Sequence, residues 1–359
     1  MRDSQLSGAG QKVGGDQYGS SKPLFLFVQT ERVSLASPLF DLLYLDCHTA
    51  REAIIHYLLD QEVFMNIYFN SSYTASLFAF DTTRKSGDVA QSLLDRPIDG
   101  ITLVDPVGFA QRAEGLIKSV HSVDYYAAVK SGEPRHVAES QGFSWDEGIF
   151  PMALNHTAGV VAAADEALNL NRATGTLSSG LHHAKWDQGE GFCTFNGLAV
   201  AARHAVDAGA RVLILDFDAH CGGGTYSLLE DIGGDVTHID VSVSGFDMYR
   251  TDGKNKLIMS ESGSYEWDIN TALDYASTLG QFDLCLYNAG MDPFNCGVSI
   301  DELVARENAV AAFCRDHVPA TAFTLAGGYT WGDVEMSEIV DLHRLTITSF
   351  QESYDCITN

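Results

Sequence analysis

The chain reads as an α/β protein with a largely parallel central sheet and helices on both faces. Three observations predict it. Its 359 residues suit one large domain of that class. A composition of 45% hydrophobic and 19% charged residues supplies a substantial core and excludes a mostly disordered chain. Strand-sized apolar runs alternate with longer helical patterns, and sheets of this kind build their sites at the carboxyl ends of strands.

Residues 1–22, mostly Gly, Ser, Gln and Asp, predict a disordered tail, leaving a single domain over 23–359. A strand at 25–28 and a helix at 50–60 are followed by a strand at 101–105 and a helix at 107–120. Helices are predicted over 152–170 and over the Ala- and Val-rich 195–208, and strands over 212–218, 236–243, 283–290 and 321–328. The best-marked helix is 299–317: Ser299 and Glu302 form an S-x-x-E capping box, and Leu303, Val310 and Phe313 recur near helical spacing. The polar, unperiodic stretches 129–148 and 247–268 read as long surface loops.

Charge and cysteine usage narrow the partners. Subtracting 48 acidic from 22 basic residues leaves −26, a surface that repels nucleic acid and anionic membrane and attracts cationic substrates. Seven scattered cysteines without a CxxC pair indicate a reduced compartment and no thiolate zinc site. No apolar run nears the roughly 20 residues of a membrane span, and the amino terminus lacks the apolar core of a secretory signal. The expectation is a soluble, cytoplasmic protein; oligomeric state, including a homo-oligomer, stays open.

The chemistry concentrates at strand ends. In the run from Val212 to His220, buried-type residues lead into Asp216, Asp218 and His220 at alternate positions, so the three side chains share one face. Carboxylate and imidazole two residues apart suit zinc or a related divalent ion, although such residues also serve simply as hydrogen-bonding groups at a strand exit. A second strand ends in Asn288-Ala-Gly-Met-Asp292-Pro293, making Asp292 the natural third ligand, with an Asx turn as the plainer reading. Three protein ligands leave a position for water, the arrangement of a hydrolytic zinc site. His182 and His183 sit in a Gly-rich loop, and Tyr329 follows the Gly327-Gly328 turn.

Taken together, these segments resemble the histone deacetylase and acetylpolyamine amidohydrolase superfamily. Gly180-Leu-His-His-Ala-Lys185 with Gly191-Phe-Cys-Thr-Phe-Asn196 has that family's HHA…GFCxxN wording. The run Gly197 to His204 and the DxDxH segment look most like class II deacetylases. Val120-His-Ser-Val-Asp-Tyr125 matches a VHSxxY segment, and Asp146 to Pro151 is similar to the loop before the next helix. The resemblance runs from about 120 to 350. It implies a three-layer arginase/deacetylase-like fold, one Zn2+ per chain and a structural K+ site for which Ser242 is the equivalent serine. By the same carry-over, Asp218, His220 and Asp292 are the zinc ligands, and His182, His183, Asp216 and Tyr329 are catalytic. Gly191 and Phe192 line the substrate channel. The implied reaction is hydrolysis of an acylated amine, an acyl-lysine peptide or an acylpolyamine: His183 takes a proton from water, and Tyr329 donates to the oxyanion.

The departures define what to test. Cys221 and Gly223 stand where the family has a second His and an Asp or Asn, so His183 is expected to lack that partner and to rely on water or on a residue from elsewhere. On that account Gly223→Asp should move the acidic limb of the pH–rate profile. The acidic rim residue has only Asp146 and Glu147 as candidates. An arginase-like binuclear site is disfavoured by Gly222, where a further carboxylate is needed. A weakly catalytic, ligand-sequestering or scaffold member is the competing class, motivated by Cys221 and Gly223.

Overall fold

The computed structural model describes residues 65–261 and 263–355; the expected tail, the strand at 25–28 and the helix at 50–60 lie outside the described residues. In chain order the first half comprises β1 (Met65–Tyr68), α1 (Asp81–Asp95), β2 (Ile101–Val104), α2 (Ala110–Val120), α3 (Val123–Ser131), α4 (Arg135–Ala138), α5 (Ile149–Leu170) and β3 (Ala173–Thr176). The second half comprises α6 (Gly197–Asp207), β4 (Val212–Asp216), α7 (Gly223–Ile232), β5 (Val236–Ser242), β6 (Asn255–Met259), α8 (Tyr265–Thr278), β7 (Leu284–Gly290), α9 (Ile300–His317), β8 (Ala320–Ala326) and α10 (Met336–Asp355). The eight strands form one sheet in the order β2-β1-β3-β8-β7-β4-β5-β6, and every pairing is parallel.

Alternation along the central strands produces the three layers, because successive side chains point to opposite faces. Val212, Ile214, Leu284, Leu286, Ala320 and Ala322 pack on one face with residues of α2, α5 and α6. Leu213, Leu215, Cys285, Tyr287, Phe323 and Leu325 pack on the other with residues of α1, α8, α9 and α10. This is the α/β arrangement the alternation predicts. The capping box of Ser299 and Glu302 is present at the start of α9, and Leu303, Val310 and Phe313 are buried.

The expected loop at 247–268 is a correction. It contains β6 and the first turn of α8. Among the described residues β6 pairs with β5 alone, from His238↔Asn255 to Ser242↔Met259, and this edge strand is too short and too half-exposed to show a period. β1 and β3 also escaped the sequence reading. In β3, Ala-Thr-Gly-Thr carries little apolar signal, and Gly175 is required because a Cβ there would lie 2.3 Å from the Phe323 ring. No described helix is long and apolar enough to cross a membrane.

Candidate active site

Four adjacent central strands bring polar side chains to one level. The register aligns Thr324, Asn288, Asp216 and Asp240 across β8, β7, β4 and β5. All four are buried, so each polar group needs an internal partner. Thr324 Oγ1 donates to Asn288 Oδ1 at 2.8 Å, and Asn288 Nδ2 donates to Asp216 Oδ1 at 2.7 Å. Asn288 Oδ1 also accepts from the Gly180 backbone N–H, which ties the histidine loop to the sheet. From that loop His182 Nδ1 donates to Asp216 Oδ2 at 2.7 Å, and its Nε2 lies 3.5 Å from Asp218 Oδ1. Burial opposes charge on His182, but the carboxylates of Asp216 and Asp218 overcome it and push the imidazole up to about 10.

His183 is in the opposite state. Burial, reinforced by the adjacent charged His182, holds it down at about 4, despite its hydrogen bond to Asp247. The two rings are 4.0 Å apart, so a charge on His182 disfavours a second one on His183. His183 Nδ1 is 3.0 Å from Asp247 Oδ2, a carboxylate from the segment after β5. Thus His183 does have a partner: of the two substitutes expected for the residue missing at 223, water or a residue from elsewhere, the structure supplies the second.

Beyond the polar row the chain places Asp218, His220 and Asp292 with ligand atoms within 4.8 Å of one another. Gly290 makes this approach: a Cβ there would sit 2.4 Å from Asp218 Cα. His220 Nδ1 is 3.2 Å from Asp218 Oδ1 and 3.0 Å from Asp292 Oδ2, yet Asp292 Oδ2 is buried without a hydrogen bond. Burial opposes charge on His220, and the two carboxylates still drive its imidazole up to about 11. A buried carboxylate oxygen without an aligned hydrogen bond, beside a second carboxylate and an imidazole, is a donor set that fits a divalent cation such as zinc. A second group, Asp216, His238 and Asp240, lies behind it, where the expected cation-site serine, Ser242, donates to Asp240 Oδ1 at 2.5 Å.

Tyr329 is presented by a turn held on three sides. Asn295 Nδ2 donates to the Tyr329 carbonyl at 2.9 Å, and the Tyr329 N–H donates to Asn295 Oδ1 at 3.0 Å. A Cβ at Gly327 would lie 2.5 Å from Asp292 Cγ, so only glycine fits against that carboxylate. From α1, fully buried Lys85 donates to the Gly327 carbonyl at 2.5 Å, and burial pulls its ammonium down to about 7 against the attraction of Asp292 and Asp218.

Aromatic rings enclose the approach. Phe192 stacks on Phe80 at 4.8 Å and on Phe143 at 5.6 Å, and Tyr329 stacks on Trp331 at 4.3 Å. Gly191 packs against His183, where a Cβ would come within 2.3 Å of the ring. Phe246 meets His183 edge to face at 4.9 Å and lies 5.9 Å from His220. The structure therefore brings together Asp216, Asp218, His220, Asp292, His182, His183, Gly191 and Tyr329. Asp146 instead ties a loop, accepting from the backbone N–H groups of Leu77 and Gly148. Buried His121 of the VHSxxY segment bridges Lys185 O and the Asn196 N–H and fixes the ends of the histidine loop. Sequence reasoning missed Asp247, Phe246, Asn288, Asn295 and Lys85. Asn288 stands in a run already singled out, and Asn295 lies in Pro293-Phe-Asn-Cys-Gly-Val298, a departure from the family's pattern; the other three carry no local signal.

Comparison with solved structures shows the same fold. An acetylpolyamine aminohydrolase from Burkholderia pseudomallei superposes with a TM-score of 0.58 at 20% identity, covering 80% of this chain and 98% of its own. The HDA15 HD domain gives 0.62 at 18% identity, covering 81% and 90%. This is the arginase/deacetylase fold. Among curated relatives, histone deacetylase 2 of Arabidopsis thaliana is 27% identical over 297 residues, 74% of each chain. The human polyamine deacetylase HDAC10 is 33% identical over 132 residues, 34% of this chain and 20% of its own. A model of the histone deacetylase domain matches residues 90–289, more than half of the chain, and the chain belongs to the histone deacetylase family.

Proposed function

We propose that the chain is a zinc-dependent amidohydrolase that removes an acetyl or other acyl group from an amine, either an acyl-lysine or an acylpolyamine. The observation that carries the reading is a pair of buried histidines, His182 on Asp216 at 2.7 Å and His183 on Asp247 at 3.0 Å, beside an Asp/His/Asp ligand set. Asp218, His220 and Asp292 would hold the metal, which when bound supplies Lewis acidity to the amide oxygen and lowers the pKa of water. Neutral His183 accepts the proton of the water that attacks the amide carbon, while His182 stays cationic on Asp216 and stabilises the negative charge that develops. Tyr329 donates its hydroxyl to the same oxygen, and the proton taken by His183 passes to the leaving amine. Phe192 and Phe246 offer apolar walls to an alkyl chain. The net charge of −26 favours a cationic amine as substrate and product.

Residues 23–359 are proposed to form the single catalytic domain, as a soluble cytoplasmic protein. Of the two departures that motivate a ligand-sequestering scaffold, Cys221 and Gly223, the second is offset by Asp247, 3.0 Å from His183. The test is metal analysis with turnover of a panel of acyl-lysine peptides and acylpolyamines. About one zinc per chain and hydrolysis of at least one class are expected, with zinc lost in Asp218→Ala and Asp292→Ala. Unchanged zinc content in both variants would overturn the ligand set.

A further inference from the structure

We infer that Asp247 is the positioning residue for His183, and that Gly223, with the Gly224 N–H beside it, forms the seat for its carboxylate. The inference rests on the reading of His183 as the base. A carboxylate only accepts, so contact at 3.0 Å places a proton on His183 Nδ1 and leaves Nε2 as the nitrogen with a free lone pair. Without a fixed acceptor the neutral ring divides between two tautomers, of which one is able to act as a base through Nε2.

Three further features point to the same role. Asp247 Oδ2 also accepts the Gly224 N–H at 2.9 Å, and Oδ1 is 3.1 Å from Lys185 Nζ, which in turn pairs with Glu190. Gly224 is in the first turn of α7, whose preceding residue, Gly222, has no side chain to cap it. Asp247 therefore caps that helix from a distant segment, and the helix fixes the carboxylate. A Cβ at Gly223 would lie 2.3 Å from the Asp247 carbonyl oxygen and 2.5 Å from Oδ1, and one at Gly224 would strike the His183 backbone at 2.3 Å. Gly223 thus holds open the space that Asp247 fills, and Gly224 lets the helix start approach the histidine backbone. Finally, Asp247 has φ 57°, a left-handed conformation unusual for a residue other than glycine. The fold accepts that strain at a residue whose side chain meets His183, Lys185 and the helix at once.

A carboxylate at 223 and one at 247 are consequently alternatives for one position. This chain uses the second, 64 residues from the histidine it serves.

The test compares Asp247→Gly and Asp247→Asn, both compatible with a left-handed backbone, in the zinc-loaded protein. Asp247→Gly is expected to lower kcat by about 10² with KM within about threefold, since acid–base assistance contributes 10² to 10⁴. Asp247→Asn keeps an acceptor and should lose about tenfold or less. In a His183→Ala background, Asp247→Gly should change kcat less than about twofold, because a residue that acts through His183 has nothing left to act on. Side-chain ¹⁵N shifts, with the His183 signals identified by their loss in His183→Ala, should report the Nδ1–H tautomer in the parent and a mixture in Asp247→Gly. Multiplying losses in the double variant, more than half of kcat retained in Asp247→Gly, or an Nε2–H tautomer in the parent would each overturn the inference. If no acylated amine is turned over, the proposed activity fails, and the tautomer measurement still decides the role of Asp247. Should Asp247→Gly not fold, the Asn variant and the parent tautomer carry the test.

Discussion

His182 and His183 are adjacent in sequence with rings 4.0 Å apart, yet each is held by a different kind of structure. Asp216, the partner of His182, belongs to a central strand; its other oxygen accepts from Asn288, and it is fully buried. Asp247, the partner of His183, belongs to a loop in a strained conformation and is tied to Lys185, which is partly exposed. One support is inseparable from the core. The other is an attachment to it, and the comparison teaches that the placing of a histidine and the stability of the fold are coupled on the sheet side and separable on the loop side.

The largest effect should come from breaking the sheet side. Asp216→Ala leaves a buried cationic imidazole without its partner, a loss on the order of 3–5 kcal/mol, whereas Asp247→Gly removes a cap worth about 1 kcal/mol and relieves the left-handed backbone. Chemical denaturation should find Asp216→Ala strongly destabilised and Asp247→Gly near the parent. Equal losses would erase the distinction between the two supports.

Tyr329 offers a control that belongs to neither support. Its backbone is held by Asn295, so Tyr329→Phe should fold normally while turnover falls by about 10² to 10³ through loss of one oxyanion donor. More than half of the activity remaining would show that the phenol does not act on the transition state.

Moving the loop-side carboxylate back to helix α7 sharpens the comparison. With the Asp247 carbonyl 2.3 Å from the Cβ that Gly223→Asp introduces, the backbone around 247 must shift. Overpacking of this kind costs about 1–3 kcal/mol, and a backbone obstacle puts it near 3. The expected result is a lowered Tm and impaired turnover, in place of the displaced pH limb that the sequence suggested. A parent-like Tm with a shifted pH profile would restore the earlier account.

The smallest effect concerns two histidines that hold the surrounding segments together. Burial holds His121 and His156 down at about 4, so each is neutral in the folded chain, while the unfolded chain protonates them near 6.5. Between those values the unfolded state binds more protons, so stability is present above pH 6.5 and lost as pH falls toward 4, by about 2 kcal/mol for each between pH 7.5 and 5. Denaturation midpoints across that range should decline, and less so in His156→Gln. A pH-independent midpoint would mean that neither ring resists protonation.

Some of these relations were readable in one dimension. Asp216, Asp218 and His220 share a face because a strand alternates, and the capping box at Ser299 is a local pattern; local spacing is enough for both. Asn288 was within reach, because it ends a buried run at the register of Asp216. β3 was not, because its four residues carry glycine and threonine where a neighbour's ring needs room.

The sequence alone therefore determined the layered α/β class and the candidate ligand residues at strand ends, which follow from period and spacing within single segments, and its motifs carried the family likeness. Tertiary structure alone decided which carboxylate meets His183. A glycine at 223 looks like a deletion when read along the chain, and only the path of the loop after β5 reveals that its missing side chain is the space Asp247 occupies. The physical reason is steric: excluded volume and hydrogen-bond reach act between residues 64 apart, and no periodicity in sequence encodes that distance.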